Sequence, residues 1–77
     1  MNNIFIIMGK EWNRNRVVAD LTGENYKHNF FIGDQNKPNE FQKHMKIADE
    51  VWCFGDCTEN IMEMYAKRNK YDIRQMG

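Results

Sequence analysis

Apolar residues fall along this chain in short unbroken blocks, separated by stretches in which they recur at helical spacing. The first block, "NIFIIMG" (residues 3–9), is rich in β-branched and aromatic residues and reads as a strand buried on both faces, ended by Gly9. In "KEWNRNRVVADLTG", Val17, Val18 and Leu21 share a face of a helix over roughly residues 13–22, and Gly23 suits the position just after it. A hairpin strand at "RVVADL" competes with that helix. "YKHNFFIGD" gives a second strand that closes on Gly33-Asp34. "QNKPNEFQKHMKIAD" gives a second helix, with Pro38 near its start and Phe41, Met45 and Ala48 along one face.

"EVWCFG" follows as a third strand, with Trp52 in the core. "DCTENIMEMYAKRNK" is a third helix in which Asp56 and Glu59 stand at the spacing of a capping box. On this helix Ile61, Met64, Tyr65 and Arg68 share a face, and the basic last turn matches the helix dipole. "YDIRQM" is a short fourth strand. Strands alternating with helices predict parallel βαβ units. The expected architecture is one Rossmann-like α/β domain over 1–77, a small three-layer sandwich around a mainly parallel sheet of about four strands.

Size changes this picture by thinning the core. A chain of 77 residues buries only roughly 60% of the surface that its unfolded form exposes, so a homo-oligomer is expected. Hydrophobic residues at 42% still argue against disorder despite a mean hydropathy of −0.81. Eleven basic and eleven acidic side chains cancel, with no run of one sign, which disfavours nucleic acid and membrane surfaces as partners. The start "MNNIFIIMGKEW" has too short an apolar run for a transmembrane helix and lacks the basic and small-residue parts of a secretory signal, so a cytoplasmic location is expected. Cys53 and Cys57 suggest neither a disulfide framework nor a metal site, because no second Cys or His pair stands at ligand spacing.

In open parallel sheets ligands bind at the carboxyl ends of strands, near the point where strand order reverses. That rule selects three turns: Met8-Gly9-Lys10, Gly33-Asp34-Gln35, and Gly55 to Asn60. Each has a glycine that lets backbone approach a ligand and a polar residue that can bond to it. The candidates for ligand binding are Gly9, Lys10, Trp12, Asp34, Gly55, Asp56, Thr58 and Asn60. Asp56 and Thr58 would bond ribose hydroxyls, the helix amides a phosphate, and Trp12 would stack on a base. Lys10 lacks the surrounding residues of a P-loop. The competing structural reading is that these glycines only end strands and Asp56 only caps its helix.

Over "ADEVWCFGDCTENIMEMYAKRNKYDIR" the sequence resembles the nucleoside 2-deoxyribosyltransferase-like superfamily, whose C-terminal half often reads A-D-E-V-W-V-F-G-D followed by a short turn, a helix and a strand ending in V-R. The resemblance implies a nucleophilic glutamate on the first turns of the third helix. Aligning Ala66 and Arg74 puts Met62 at that position, with Glu63 one residue and about 100° of helix rotation away. Thr58-Glu59-Asn60 replaces the family's Ser-x-Gly turn. A thioether cannot serve as the carboxylate of glycosyl chemistry, so the resemblance implies a pocket without catalysis.

The function expected is non-catalytic binding of a nucleoside, nucleotide or nucleotide-derived signal at the strand ends, with no cofactor. One alternative is a small protein that binds and inhibits a host enzyme. A further one is an N-glycosidase or ribosyltransferase using Glu59 or Glu63. Ten asparagines, many lysines and a single proline resemble an accessory protein of an AT-rich phage, in which case the setting is the host cytoplasm and the ligand an immune nucleotide.

Overall fold

The computed structural model describes residues 2–23 and 27–77. Met1, and Tyr26 at the start of the predicted second strand, lie outside the described residues. The elements are β1 (Asn3–Met8), α1 (Arg14–Gly23), β2 (Asn29–Ile32), α2 (Pro38–Ile47), β3 (Glu50–Phe54), α3 (Ile61–Arg68) and β4 (Ile73–Met76). The strands form one parallel sheet in the order β2-β1-β3-β4.

Strand alternation divides the core between two faces. Phe5, Ile7, Val51 and Cys53 pack with Phe41 and Met45 of α2 and Met62 and Ala66 of α3. On the opposite face Ile4, Ile6, Trp52 and Phe54 pack with Val17 and Leu21 of α1. This is the expected three-layer sandwich, with one helix on one side and two on the other. The central strand β1 is buried from Ile4 through Ile7 because both of its faces are covered.

The stretch that could have been hairpin is helix. Val17 and Leu21, one turn apart, reach the sheet, while Val18 stays 45% exposed. Asn13 starts α1 by accepting the Arg16 N–H on its side-chain oxygen at 2.9 Å. Gly23 is the last helical residue rather than the one beyond. Pro38 opens α2 as expected, and Phe41 and Met45 are its buried pair.

Helix α3 departs from expectation in its start. It begins at Ile61, and its cap is Asn60, whose side chain accepts from the Met62 N–H at 2.8 Å. The predicted Asp56–Glu59 capping box does not form. Asp56 is instead spent on its own turn, where Oδ1 accepts from both the Thr58 N–H at 3.1 Å and the Thr58 hydroxyl at 2.8 Å. The inward face is Met62, Glu63 and Ala66, so the stripe of Ile61, Met64 and Arg68 turns outward with Tyr65 half-buried. Gly33 makes room for this choice. A Cβ there would stand 2.5 Å from Met62 Sδ and 2.5 Å from Phe5 Cζ.

The cysteine expectation is also corrected. Cys53 and Cys57 are joined as a disulfide. Gly55 takes φ 80°, the left-handed region, and the chain folds back so that the two Cα atoms lie 6.4 Å apart, within bridging range. It is a staple inside one turn rather than a framework. Among the described residues no helix is long and apolar enough to cross a membrane.

Candidate functional site

The neighbouring central strands β1 and β3 end side by side, and their chains depart in different ways. After β1 the chain enters α1 on one face, whereas after β3 it enters α3 on the other, which leaves a crevice at the carboxyl ends. The Gly9 N–H donates to the Phe54 carbonyl at 2.7 Å and the Lys10 N–H to the Asp56 carbonyl at 3.1 Å. These bonds draw the two turns so close that a Cβ at Gly9 would run into the Asp56 backbone. Glycine at this position is a packing requirement.

On the α3 side of the Lys10–Asp56 bridge lies an open cavity of about 260 Å³, lined by Met8, Gly9, Lys10, Gln35, Asp56, Glu59 and Asn60. Lys10 Nζ stands 3.4 Å from Glu59 Oε2, with both side chains largely in solvent. Asn60 is fixed at both ends, since its Nδ2 donates to the Met8 carbonyl at 3.0 Å while its Oδ1 caps α3. The Thr58 backbone N–H, then its hydroxyl, hold the Asp56 carboxyl below the usual carboxylate range; desolvation opposes them, and the nearby Lys10 charge lowers it least. One cation and two carboxylates therefore face the cavity. Such a set accepts hydrogen bonds from hydroxyl or amino groups and offers one ammonium donor.

On the α1 side of the same bridge a wider depression of about 700 Å³ is lined by Lys10, Glu11, Trp12, Arg16, Gly55, Asp56 and Gly77. Trp12 packs at 5.0 Å on the Phe54 ring, and the Arg16 guanidinium lies 4.1 Å from the centre of the Trp12 ring. A Cβ at Gly55 would stand 2.5 Å from Trp12 Cδ1, so that glycine is held by its neighbour as well as by its φ.

Of the residues selected from sequence, Gly9, Lys10, Asp56 and Asn60 share the first cavity, joined by Glu59. Trp12 and Gly55 line the second. Thr58 is exposed and its hydroxyl is donated to Asp56. Asp34 lies apart, in a groove along β2 with Phe31, Glu40 and His44, and its Oδ1 accepts the Asn36 N–H at 2.9 Å. Gln35, next to it in the same turn, is the residue that reaches the cavity. Glu63 is 7% exposed and lines neither cavity; its Oε1 lies 2.7 Å from Lys67 Nζ. Met62 is buried among core residues. Arg16 was not among the candidates, although its place four residues after Trp12 on a helix start is the spacing at which side chains meet.

No family model, curated protein or solved structure matches the chain.

Proposed function

We propose that the chain is a non-catalytic binding module for a nucleoside, nucleotide or nucleotide-derived signal, held at the carboxyl ends of β1 and β3. The supporting observation is the convergence of Lys10, Asp56, Glu59 and Asn60 on one cavity beside a strand-order reversal. Asp56, kept ionised by Thr58, accepts from ribose hydroxyls, and Lys10 pairs with whatever anionic group the ligand carries. Burial of Met62 in the core supports a pocket without a nucleophile, and the ion pair of Glu63 with Lys67 supports a structural role for that carboxylate. On this reading the chain is a catalytically degenerate relative of the nucleoside 2-deoxyribosyltransferases. The extended proposal is a phage protein that sequesters a host immune nucleotide in the cytoplasm. The Cys53–Cys57 bridge weighs against that compartment, because disulfides are rare in the cytosol.

A thermal-shift panel of nucleosides, nucleotides, cyclic dinucleotides and ADP-ribose derivatives tests this reading. A ligand at a hundred times its Kd stabilises by about 2.7 kcal/mol, and Asp56→Asn or Lys10→Ala should remove the shift. Absence of any shift across the panel sinks the reading. Release of free base, abolished by Glu59→Gln or Glu63→Gln, replaces it with the enzyme alternative.

A further inference from the structure

Helix α3 carries two apolar stripes and the sheet takes one. Met62 and Ala66 are buried on it, whereas Ile61 and Met64 are each 56% exposed and, with Tyr65 and Arg68, line a shallow apolar groove of about 370 Å³. Among the described residues the large exposed hydrophobics are Val18, Ile47, Ile61 and Met64, and the last two are the pair that lies on a single element.

We infer that this groove is the docking surface for a second copy of the chain, with the two α3 helices antiparallel about a two-fold axis. Charge selects both the occupant and the direction. The C-terminal end of the stripe carries Arg68, which has no ion pair among the described residues, while Lys67 beside it is already held by Glu63 at 2.7 Å. The approach to the N-terminal end carries Glu59, whose side chain is 82% exposed. An antiparallel pair brings Arg68 of one copy to Glu59 of the other, and symmetry makes the contact twice. A parallel pair would set Arg68 against Arg68 and Glu59 against Glu59. Near the axis Met64 of one copy meets Tyr65 of the other, a thioether–aromatic contact. The complement this patch requires is therefore present on the same chain, in the turn that leads into α3, as a self-matching interface demands.

The arrangement also reaches the ligand cavity. Glu59 lines it, so Arg68 of the second copy competes with Lys10 for that carboxylate at the cavity rim. The interface itself does not depend on the ligand reading, and it is tested without ligand. Light scattering and sedimentation on the full chain, from low micromolar to sub-millimolar concentration, should show the mass rising from 9.3 kDa towards twice that value.

Met64→Asp, at an exposed position, should weaken association by at least about tenfold with an unchanged circular dichroism spectrum. Arg68→Glu should weaken it as well, and the double variant Arg68→Glu/Glu59→Arg should restore it. A mass of 9.3 kDa at every concentration overturns the inference. So does a dimer untouched by Met64→Asp, or a double variant no tighter than either single one.

Discussion

The chain uses the dipeptide Gly-Asp twice, each time directly after an apolar strand, and the two copies end in different places. In both, Oδ1 of the aspartate accepts the backbone N–H two residues on: Asn36 from Asp34 at 2.9 Å, and Thr58 from Asp56 at 3.1 Å. As turn devices they are equivalent. Gly33-Asp34, however, ends an edge strand, and its glycine is small so that Met62 and Phe5 can pass beneath it. Gly55-Asp56 ends a central strand whose neighbour delivers Gly9 and Lys10 at the same level. A site at the strand ends is thus made by two adjacent turns, and the dipeptide alone supplies only half of it.

The largest expected effect separates these two closures. Gly9→Ala drives a Cβ into the Asp56 backbone, which has no rotamer to yield, and should cost about 3 kcal/mol, the upper part of the overpacking range. Gly33→Ala meets the far ends of the Met62 and Phe5 side chains, which can shift, and should cost about 1–2 kcal/mol. Gly23→Ala, with nothing within 4 Å of the added carbon, should be neutral or gain up to about 1 kcal/mol. Urea unfolding of the three variants ranks them. Equal losses at Gly9 and Gly33 would remove the distinction between a backbone-closed site and a packed edge.

The next effect concerns the staple, which only the second turn has. In the chain-entropy picture a bridge closing a loop as short as Cys53–Cys57 stabilises by about 2 kcal/mol. Complete reduction, or the double substitution Cys53→Ala/Cys57→Ala, should lower stability by at least that amount and loosen the Asp56 turn above it. Unfolding midpoints with and without reductant, checked by thiol titration, give the answer. An unchanged midpoint in the fully reduced protein would mean that the left-handed Gly55 holds this turn without help.

Most of the fold was legible because its punctuation is local: Gly9, Gly33 and Gly55 close strands, and Pro38 opens α2. The inward face of α3 was not. The stripe of Ile61, Met64, Tyr65 and Arg68 has the same period as that of Met62 and Ala66, and the space at Gly33 into which Met62 packs lies far away in sequence. Strand order is likewise absent from any local pattern, so the strand-end rule named Asp34 and Asp56 together and only the sheet divides them. The Cys53–Cys57 bridge depends on the sign of φ at Gly55, and glycine permits either sign.

The smallest effect is a titration. Two hydrogen bonds from Thr58, the backbone one first, lower the folded-state pKa of Asp56 below the ordinary 3.8, with Lys10 contributing less. Because the folded value is depressed, the resulting stabilisation is fully present above the unfolded pKa and is lost as pH falls through the folded one, in a window below about pH 4. Thr58→Val removes the hydroxyl donor and keeps the backbone N–H, so the Asp56 pKa should rise part of the way back, and Lys10→Met should raise it less. Carboxyl-carbon NMR of the two variants measures both. The direction matters for the cavity, since a carboxylate that stays ionised into acid keeps accepting from a hydroxyl-rich ligand where an ordinary one would begin to protonate. If Thr58→Val leaves the titration unmoved, the hydroxyl adds nothing, and the Thr58 backbone N–H is the hydrogen bond that holds Asp56 ionised.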